Sequence, residues 1–331
     1  MIRAMRFSSK TVGIASAVIT VLIWTGFIVI ARASTSRGLL PMDIVLARIV
    51  GASSILLPWA WWMMRQARQA GQTVGSLWGL SPLPLAPTLQ AGFLGGLLYA
   101  VLAYNGFFFA PASHASVLLP GSLPLWTTLL AWLVLREKVS SVRAVGLGFI
   151  VLGDVLVGGA SLLMAFQGGE VWKGDLLFMA ASCCWAGYSV TVRRYGLDAV
   201  RATMAITAFA FVVYVPVFLS LTSLGLMQTH LLQAPWTEVA FQAVFQGMGS
   251  VVISGITFTQ MVRHFGPVRS TMITALVPGL SALGAVWLLG EPLHWNLLVG
   301  LALVTCGILF GVRQVKPPVA LPSGVAAESK P

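Results

Sequence analysis

The chain of 331 residues carries a formal charge of +11, yet only 9% of its residues are charged, 57% are hydrophobic, and its mean hydropathy is +0.89. Soluble domains carry roughly 25% charged residues, so an ordinary water-soluble domain is excluded. A membrane β-barrel is excluded too, because the apolar runs lack the period-two alternation of lipid-facing strands.

The expected class is therefore an all-α polytopic membrane protein. Its basic balance has a simple source, since Lys and Arg collect in cytoplasmic loops as topology signals. No loop is long enough to fold into a nucleic-acid reading module, so no nucleic-acid partner is expected. Cys183, Cys184 and Cys306 fall inside apolar runs with no metal or disulfide spacing. Neither a metal nor a cofactor is implied.

In chain order, ten apolar runs read as membrane spans at 11–31, 42–63, 89–110, 113–135, 143–164, 174–192, 201–223, 238–262, 267–289 and 294–312. The first follows Arg3, Arg6 and Lys10, and Ala31-Arg32-Ala33 imitates a cleavage site. Its apolar stretch is longer than the roughly 7–15 residues of a signal core, so it reads as a retained span. It carries Trp24-Thr25-Gly26-Phe27, with an aromatic ring at mid-span. The second span holds Arg48, the one cation inside a run. An intramembrane cation faces the bundle, snorkels outward or takes a partner. Arg48 is thus either an anchor for a substrate carboxylate or a partner of Asp43.

Tyr99, Tyr104 and Asn105 on the third span are polar groups at membrane depth that need partners. The fourth span opens at His114, near the surface, where an imidazole can titrate or stay solvated. It contains Pro124, a flexing or static helix breaker, and ends at Glu137. The fifth carries Asp154, the only carboxylate near the middle of a span. Such an acid is either a proton site or hydrogen-bonded to a neighbouring helix. Asp154 and His114 are the candidates for proton coupling. Trp185 and Tyr188 on the sixth span repeat the Trp24 motif as Trp185-Ala186-Gly187-Tyr188. Pro278 and Glu291 on the ninth repeat Pro124 and Glu137. The two glutamates stand at helix C-termini, where the helix dipole disfavours an anion. They therefore need an arginine or free backbone N–H groups, and read as gate or structural residues. The tail, 313–331, is Pro-, Ser- and Ala-rich without an apolar run and reads as disordered.

Two shifts organise these features. Moving residue numbers by 154 lays Ser116 on Ser270, Pro124 on Pro278, Glu137 on Glu291, Gly146 on Gly300 and Gly153 on Gly307. Moving them by 161 lays Trp24 on Trp185 and Arg32 on Arg193. Residues 11–164 and 174–312 are thus two copies of a five-span unit, and the odd number inverts the second copy. With the N-terminus cytoplasmic, only Arg32, Arg37 and Lys173 of the 20 Lys and Arg fall outside and Arg48 within a span. That bias places both termini in the cytoplasm. Inverted repeats are a feature of transporters, because two near-equivalent packings give inward- and outward-open states.

The duplicated Trp-x-Gly-aromatic motif, the Pro some 13 residues before a terminal Glu, and the Gly-rich fifth helix resemble the EamA family of the drug/metabolite transporter superfamily. Leu135-Arg136-Glu137 and Leu289-Gly290-Glu291-Pro292 match its helix-ending glutamates, and Arg48 matches an arginine common on its second helix. The resemblance implies ten helices around a central cavity and movement of amino acids or other small metabolites, usually outward. Arg48 falls on Phe209 under the 161 shift, so the cavity is expected to be asymmetric. Cavity lining is expected from Trp24, Arg48, Tyr99, Tyr104, Asn105, Trp185 and Tyr188.

The expected function is secondary transport across the inner membrane. The partners are a small metabolite, the lipid bilayer and protons, in a monomer or homodimer. A cationic-drug/proton antiporter and a non-transporting scaffold are the alternatives. The first counts against itself, because Thr11 to Ala31 holds no acid. No Walker A motif is present, and the four His with one mid-span acid form no catalytic cluster, so an enzyme is not expected.

Overall fold

The computed structural model describes residues 9–71 and 75–312. The expected disordered tail at 313–331, together with Arg3 and Arg6, lies outside the described residues. Among those described, the chain is helical, with one isolated bridge between Ser76 and Ser81. The helices are α1 Ser9–Ala33, α2 Pro41–Gln69, α3 Leu85–Phe109, α4 Ala112–Leu118, α5 Leu123–Leu135 and α6 Ser141–Ala165. They continue with α7 Val171–Tyr195, α8 Ala199–Ser223, α9 Trp236–Gln242, α10 Ser254–Thr274, α11 Leu276–Leu289 and α12 Trp295–Val312. Eight helical segments are long and apolar enough to cross a membrane, among them Ala112–Leu135 and Trp236–Met261; Leu276–Leu289 and Trp295–Gly311 are shorter apolar helices. The molecule is a multi-pass membrane protein.

Two stretches depart from the expected spans. The fourth is broken into α4 and α5, because Pro120 lacks a backbone N–H and Gly121 follows it. Pro124 then stands in the first turn of α5, and Pro278 in the first turn of α11. The first turn is where proline costs nothing, since its missing N–H has no helical partner there. These prolines restart helices; they do not kink them. The expected gap between the eighth and ninth spans is absent. The chain stays helical from Trp236 to Thr274, and the interruption falls at Ala275.

Both α3 and the segment after α9 pass through π-helix, at Gly92–Leu98 and Ala243–Ile253. The shift of 154 lays the first stretch inside the second. A π turn widens the helix and is common where a helix borders a site. The second stretch packs against α2 backbone on backbone. A Cβ on Gly51 of α2 would lie 2.0 Å from the Ala243 carbonyl oxygen, and one on Gly247 would lie 2.8 Å from the Arg48 carbonyl oxygen.

Helices α6 and α12 cross antiparallel on four glycines. A Cβ on Gly146 would meet the Gly307 carbonyl oxygen at 2.7 Å, and one on Gly153 the Gly300 carbonyl oxygen at 2.7 Å. Small residues permit this approach between membrane helices. Even alanine is too large, so Gly153→Ala should force the helices apart at about 1–3 kcal/mol, the usual cost of overpacking. A lowered thermal midpoint in detergent checks this, and Gly148→Ala, where a Cβ meets open space, should leave the midpoint unchanged.

Candidate functional site

A cavity of about 490 Å³ opens between α1, α2, α3, α7, α8 and α10. Its walls are aromatic because α1 and α7 each turn one face inward. Trp24 of α1 stacks on Phe258 of α10, with ring centroids 5.3 Å apart. Opposite them, Trp185 packs against Tyr99 at 4.9 Å and Tyr188 at 5.1 Å. Aromatic pairs at such distances contribute about 0.5–1.5 kcal/mol beyond burial and give the wall fixed flat faces. Five of the expected lining residues thus line the cavity: Trp24, Arg48, Tyr99, Trp185 and Tyr188.

Tyr104 and Asn105 do not line it. Tyr104 is buried at 1% exposure behind Arg48, and its hydroxyl accepts from Arg48 Nη1 at 3.4 Å. Asn105 Nδ2 donates to the Val101 carbonyl one turn back at 2.7 Å, so α3 satisfies its own amide. Their counterparts under the 154 shift, Phe258 and Thr259, line the cavity in their place. Sequence reading did not single out these two, although the 154 shift lays Tyr104 and Asn105 on them.

Arg48 stands at the deep end. Its guanidinium lies over the Phe27 ring at 5.6 Å. It donates to Tyr104 Oη, the Gln246 carbonyl and Ser250 Oγ at 3.3–3.4 Å, all beyond the usual 2.7–3.2 Å of N–H···O bonds. No carboxylate pairs with it among the described residues. Asp43, the expected alternative partner, is occupied elsewhere. It accepts from Leu40 N at 3.0 Å, Thr229 Oγ1 at 2.6 Å and His230 N at 2.9 Å, tying the start of α2 to the loop before α9. Arg48 is thus a cation at membrane depth with loose neutral partners and a cavity in front of it. Among the lining residues only Arg48 and Arg193 are charged.

The ends of the cavity are closed unequally. Arg193, which reaches into it, is exposed and pairs with Glu137, marking the mouth. At the other end Glu291 accepts from the backbone N–H groups of Ala112 at 2.8 Å and Ser113 at 2.9 Å. Arg32 Nε lies 3.5 Å from the same carboxylate, and Arg32 Nη1 also donates to the Phe107 carbonyl. Both glutamates follow a residue in left-handed conformation, Arg136 at φ 56° and Gly290 at φ 67°. Their own N–H groups bond back to Ala131 and Ala285, positions that correspond under the 154 shift. The partners correspond under the 161 shift, so each glutamate pairs with the arginine ending the first helix of the opposite half. The dipole problem is met by partners from across the molecule.

Asp154 is buried at 6% exposure, away from the cavity. Neither carboxylate oxygen has a hydrogen-bond partner among the described residues, so the expected bond to a neighbouring helix is not formed. His114 is not a solvated surface imidazole. Its side chain is 12% exposed, and Nδ1 lies 2.9 and 3.1 Å from the two oxygens of Asp175. Sequence reading passed over Asp175, since nothing in the pattern announces which helix it meets.

Comparison with known proteins agrees with this architecture. The chain is 24% identical to the uncharacterized transporter YyaM of Bacillus subtilis, over 67% of this chain and 72% of that protein. It is 24% identical to a WAT1-related protein of Arabidopsis thaliana, over 86% of this chain and 77% of that one. An uncharacterized transporter of Synechocystis is 27% identical over 69% and 67% of the two chains. A solved crystal structure superposes with a TM-score of 0.52 at 19% identity, covering 93% of this chain and 99% of the other, a likeness of fold. The EamA-like transporter family matches twice, at residues 11–159 and 172–313. The chain belongs to the EamA-like transporter family.

Proposed function

We propose that the protein is a secondary transporter that exports small metabolites bearing a carboxylate, amino acids among them, across the inner membrane by alternating access. The observation that carries this reading is Arg48: a guanidinium facing a cavity, without a carboxylate partner among the described residues, its neutral contacts all at 3.3–3.4 Å. A planar fork of donors is well matched to a carboxylate. The aromatic faces of Trp24, Trp185 and Tyr188 would take the cargo's apolar body, or an ammonium by cation–π attraction.

Ten spans in two inverted five-helix units, with both termini cytoplasmic, fit the paired contacts. Gly146 on Gly307 matches Gly153 on Gly300, and Arg32 with Glu291 matches Arg193 with Glu137. Each contact is the repeat image of another, as a two-fold axis in the membrane plane requires. The cationic-drug alternative fits less well, because no carboxylate lines the cavity and a cation would meet Arg48.

The test is uptake into proteoliposomes of labelled amino acids, aromatic and aliphatic carboxylates and cationic dyes, each with and without a pH gradient. Saturable movement of carboxylates, with the cationic dyes excluded, is the expected result. Movement of the dyes alone overturns the reading.

A further inference from the structure

Outside the cavity, three helices bring together one buried ionisable pair and one hydroxyl. His114 comes from α4, Asp175 from α7 and Ser161 from α6. Asp175 accepts from Ser161 Oγ and faces His114 Nδ1. The side chains of His114 and Asp175 are 12% and 5% exposed, and Ser161 is 3% exposed. We propose that this cluster is a proton-binding site that controls the docking of α4, and through α4 the access to the Glu291 end of the cavity. The role in access rests on the alternating-access reading; the binding of a proton does not.

The charge arithmetic makes the cluster sensitive to one proton. A carboxylate 2.9 Å from Nδ1 selects the tautomer with hydrogen on that nitrogen, which leaves Nε2 to receive a proton. With a neutral imidazole the cluster holds one buried negative charge. Among the described residues no cation offsets it: Lys173 pairs with Glu170 and sits over Phe109, while Arg32 is engaged with Glu291 and Phe107. A proton on Nε2 converts the lone anion into an ion pair of zero net charge. The shared hydrogen bond, already charge-assisted through the carboxylate, then carries opposite charges on its two sides, and the cost of an uncompensated buried charge disappears.

The other elements packed on α4 add little charge. The described parts of α11 and α12 bring no acid and no basic residue, and α3 brings Tyr99 and Tyr104, the latter held by Arg48. From α1 comes Arg32, already on Glu291. On α6 the nearest other acid is Asp154, two turns from Ser161 on the same buried face.

Helix α4 is only seven residues long, and it touches all three functional features. Glu291 holds the N–H groups of Ala112 and Ser113 at its start. His114 lies one residue further on. Leu119 and Pro120, just past its end, line the cavity. The break at Pro120 and Gly121 frees it from α5, so it can undock as a unit. Undocking exposes Asp175 to water, which favours the unprotonated cluster. Proton binding therefore favours the docked helix, and by linkage the docked helix favours the proton.

The test uses full-length protein in nanodiscs, with Cys183, Cys184 and Cys306 replaced and spin labels on P111C, at the start of α4, and L232C, an exposed loop position at the Glu291 end. The distance distribution is measured between about pH 5 and 8, where an ordinary imidazole titrates. Wild type should shift toward a longer distance as pH rises. His114→Gln keeps an amide that can donate to Asp175 but takes no proton, so its distribution should not change with pH. A pH-independent wild type, or an equal shift in His114→Gln, overturns the proposal. In proteoliposomes, His114→Gln should retain exchange of a carboxylate that wild type carries and lose at least tenfold of its pH-driven accumulation. Wild-type transport without any response to a pH gradient defeats the role in access while leaving the transporter reading intact. Absence of all transport defeats the transporter reading, and the distance measurement still decides the proton site.

Discussion

Arg48→Gln is expected to cut transport of a carboxylate cargo at least several-fold at concentrations where wild type is just saturated. Removing one partner of a buried, hydrogen-bonded charge pair costs about 2–5 kcal/mol, and about 1.4 kcal/mol is tenfold. The half-saturating concentration should thus rise from about thirtyfold to a few thousandfold. The loss cannot be assigned to misfolding. A cation at the centre of a span opposes insertion by about 2.5–3.5 kcal/mol, so the glutamine protein should insert at least as well as wild type. Arg48→Lys should fall between the two, because it keeps the charge and loses the planar fork. Tyr104→Phe removes one acceptor at 3.4 Å and should shift the constant less than tenfold. Unchanged half-saturation in Arg48→Gln would remove Arg48 from the site.

How far this site could be read from sequence depends on the range of each interaction. Arg48, Trp24 and Trp185 were legible because their oddity is local, a cation or an aromatic ring inside an apolar run. Their inward orientation follows from the cost of leaving such groups in lipid. Tyr104 and Asn105 show the limit of that argument. They are as polar as Arg48's other neighbours, yet a one-turn hydrogen bond or a place behind the guanidinium satisfies them. Membrane depth says that a polar group has a partner; it does not say the partner is cargo.

The fold shows the same division. Apolar length located the helices, and the two numerical shifts located their counterparts. The break at Pro120 and Gly121 and the continuous helix through Thr274 depend on which turn gives way under tertiary packing. The π turns at Gly92–Leu98 and Ala243–Ile253 do as well. Asp175 was invisible for a related reason. Its partner lies 61 positions away, and only the packing of α4 on α7 brings them together.

The second large effect is expected at Glu291, where the two halves differ despite matching registers. Glu137 and Arg193 are side chains 38% and 47% exposed, and exposed pairs contribute about 0–1 kcal/mol. Glu291 is 10% exposed and holds two backbone N–H groups besides Arg32. Each buried donor left without a partner costs about 1–3 kcal/mol. Glu291→Ala should therefore weaken the docking of α4 by about 2–5 kcal/mol, and Glu137→Ala should change it by less than about 1 kcal/mol. Hydrogen exchange over Ala112–Leu118 reads the difference directly, since protection there reports local opening. Exchange in Glu291→Ala should accelerate from about thirtyfold to a few thousandfold, and in Glu137→Ala less than about fivefold. Glu291→Gln should fall between, because the amide oxygen still accepts from the helix but no longer attracts Arg32. Equal acceleration in Glu137→Ala and Glu291→Ala would mean that the matched registers impose matched strengths. The closed end of the cavity would then owe its closure to the buried aromatic packing of Phe27, Tyr104 and Phe107 and not to the carboxylate. Selective acceleration would place that closure on one side chain, held by a helix start and an arginine from the other half of the molecule.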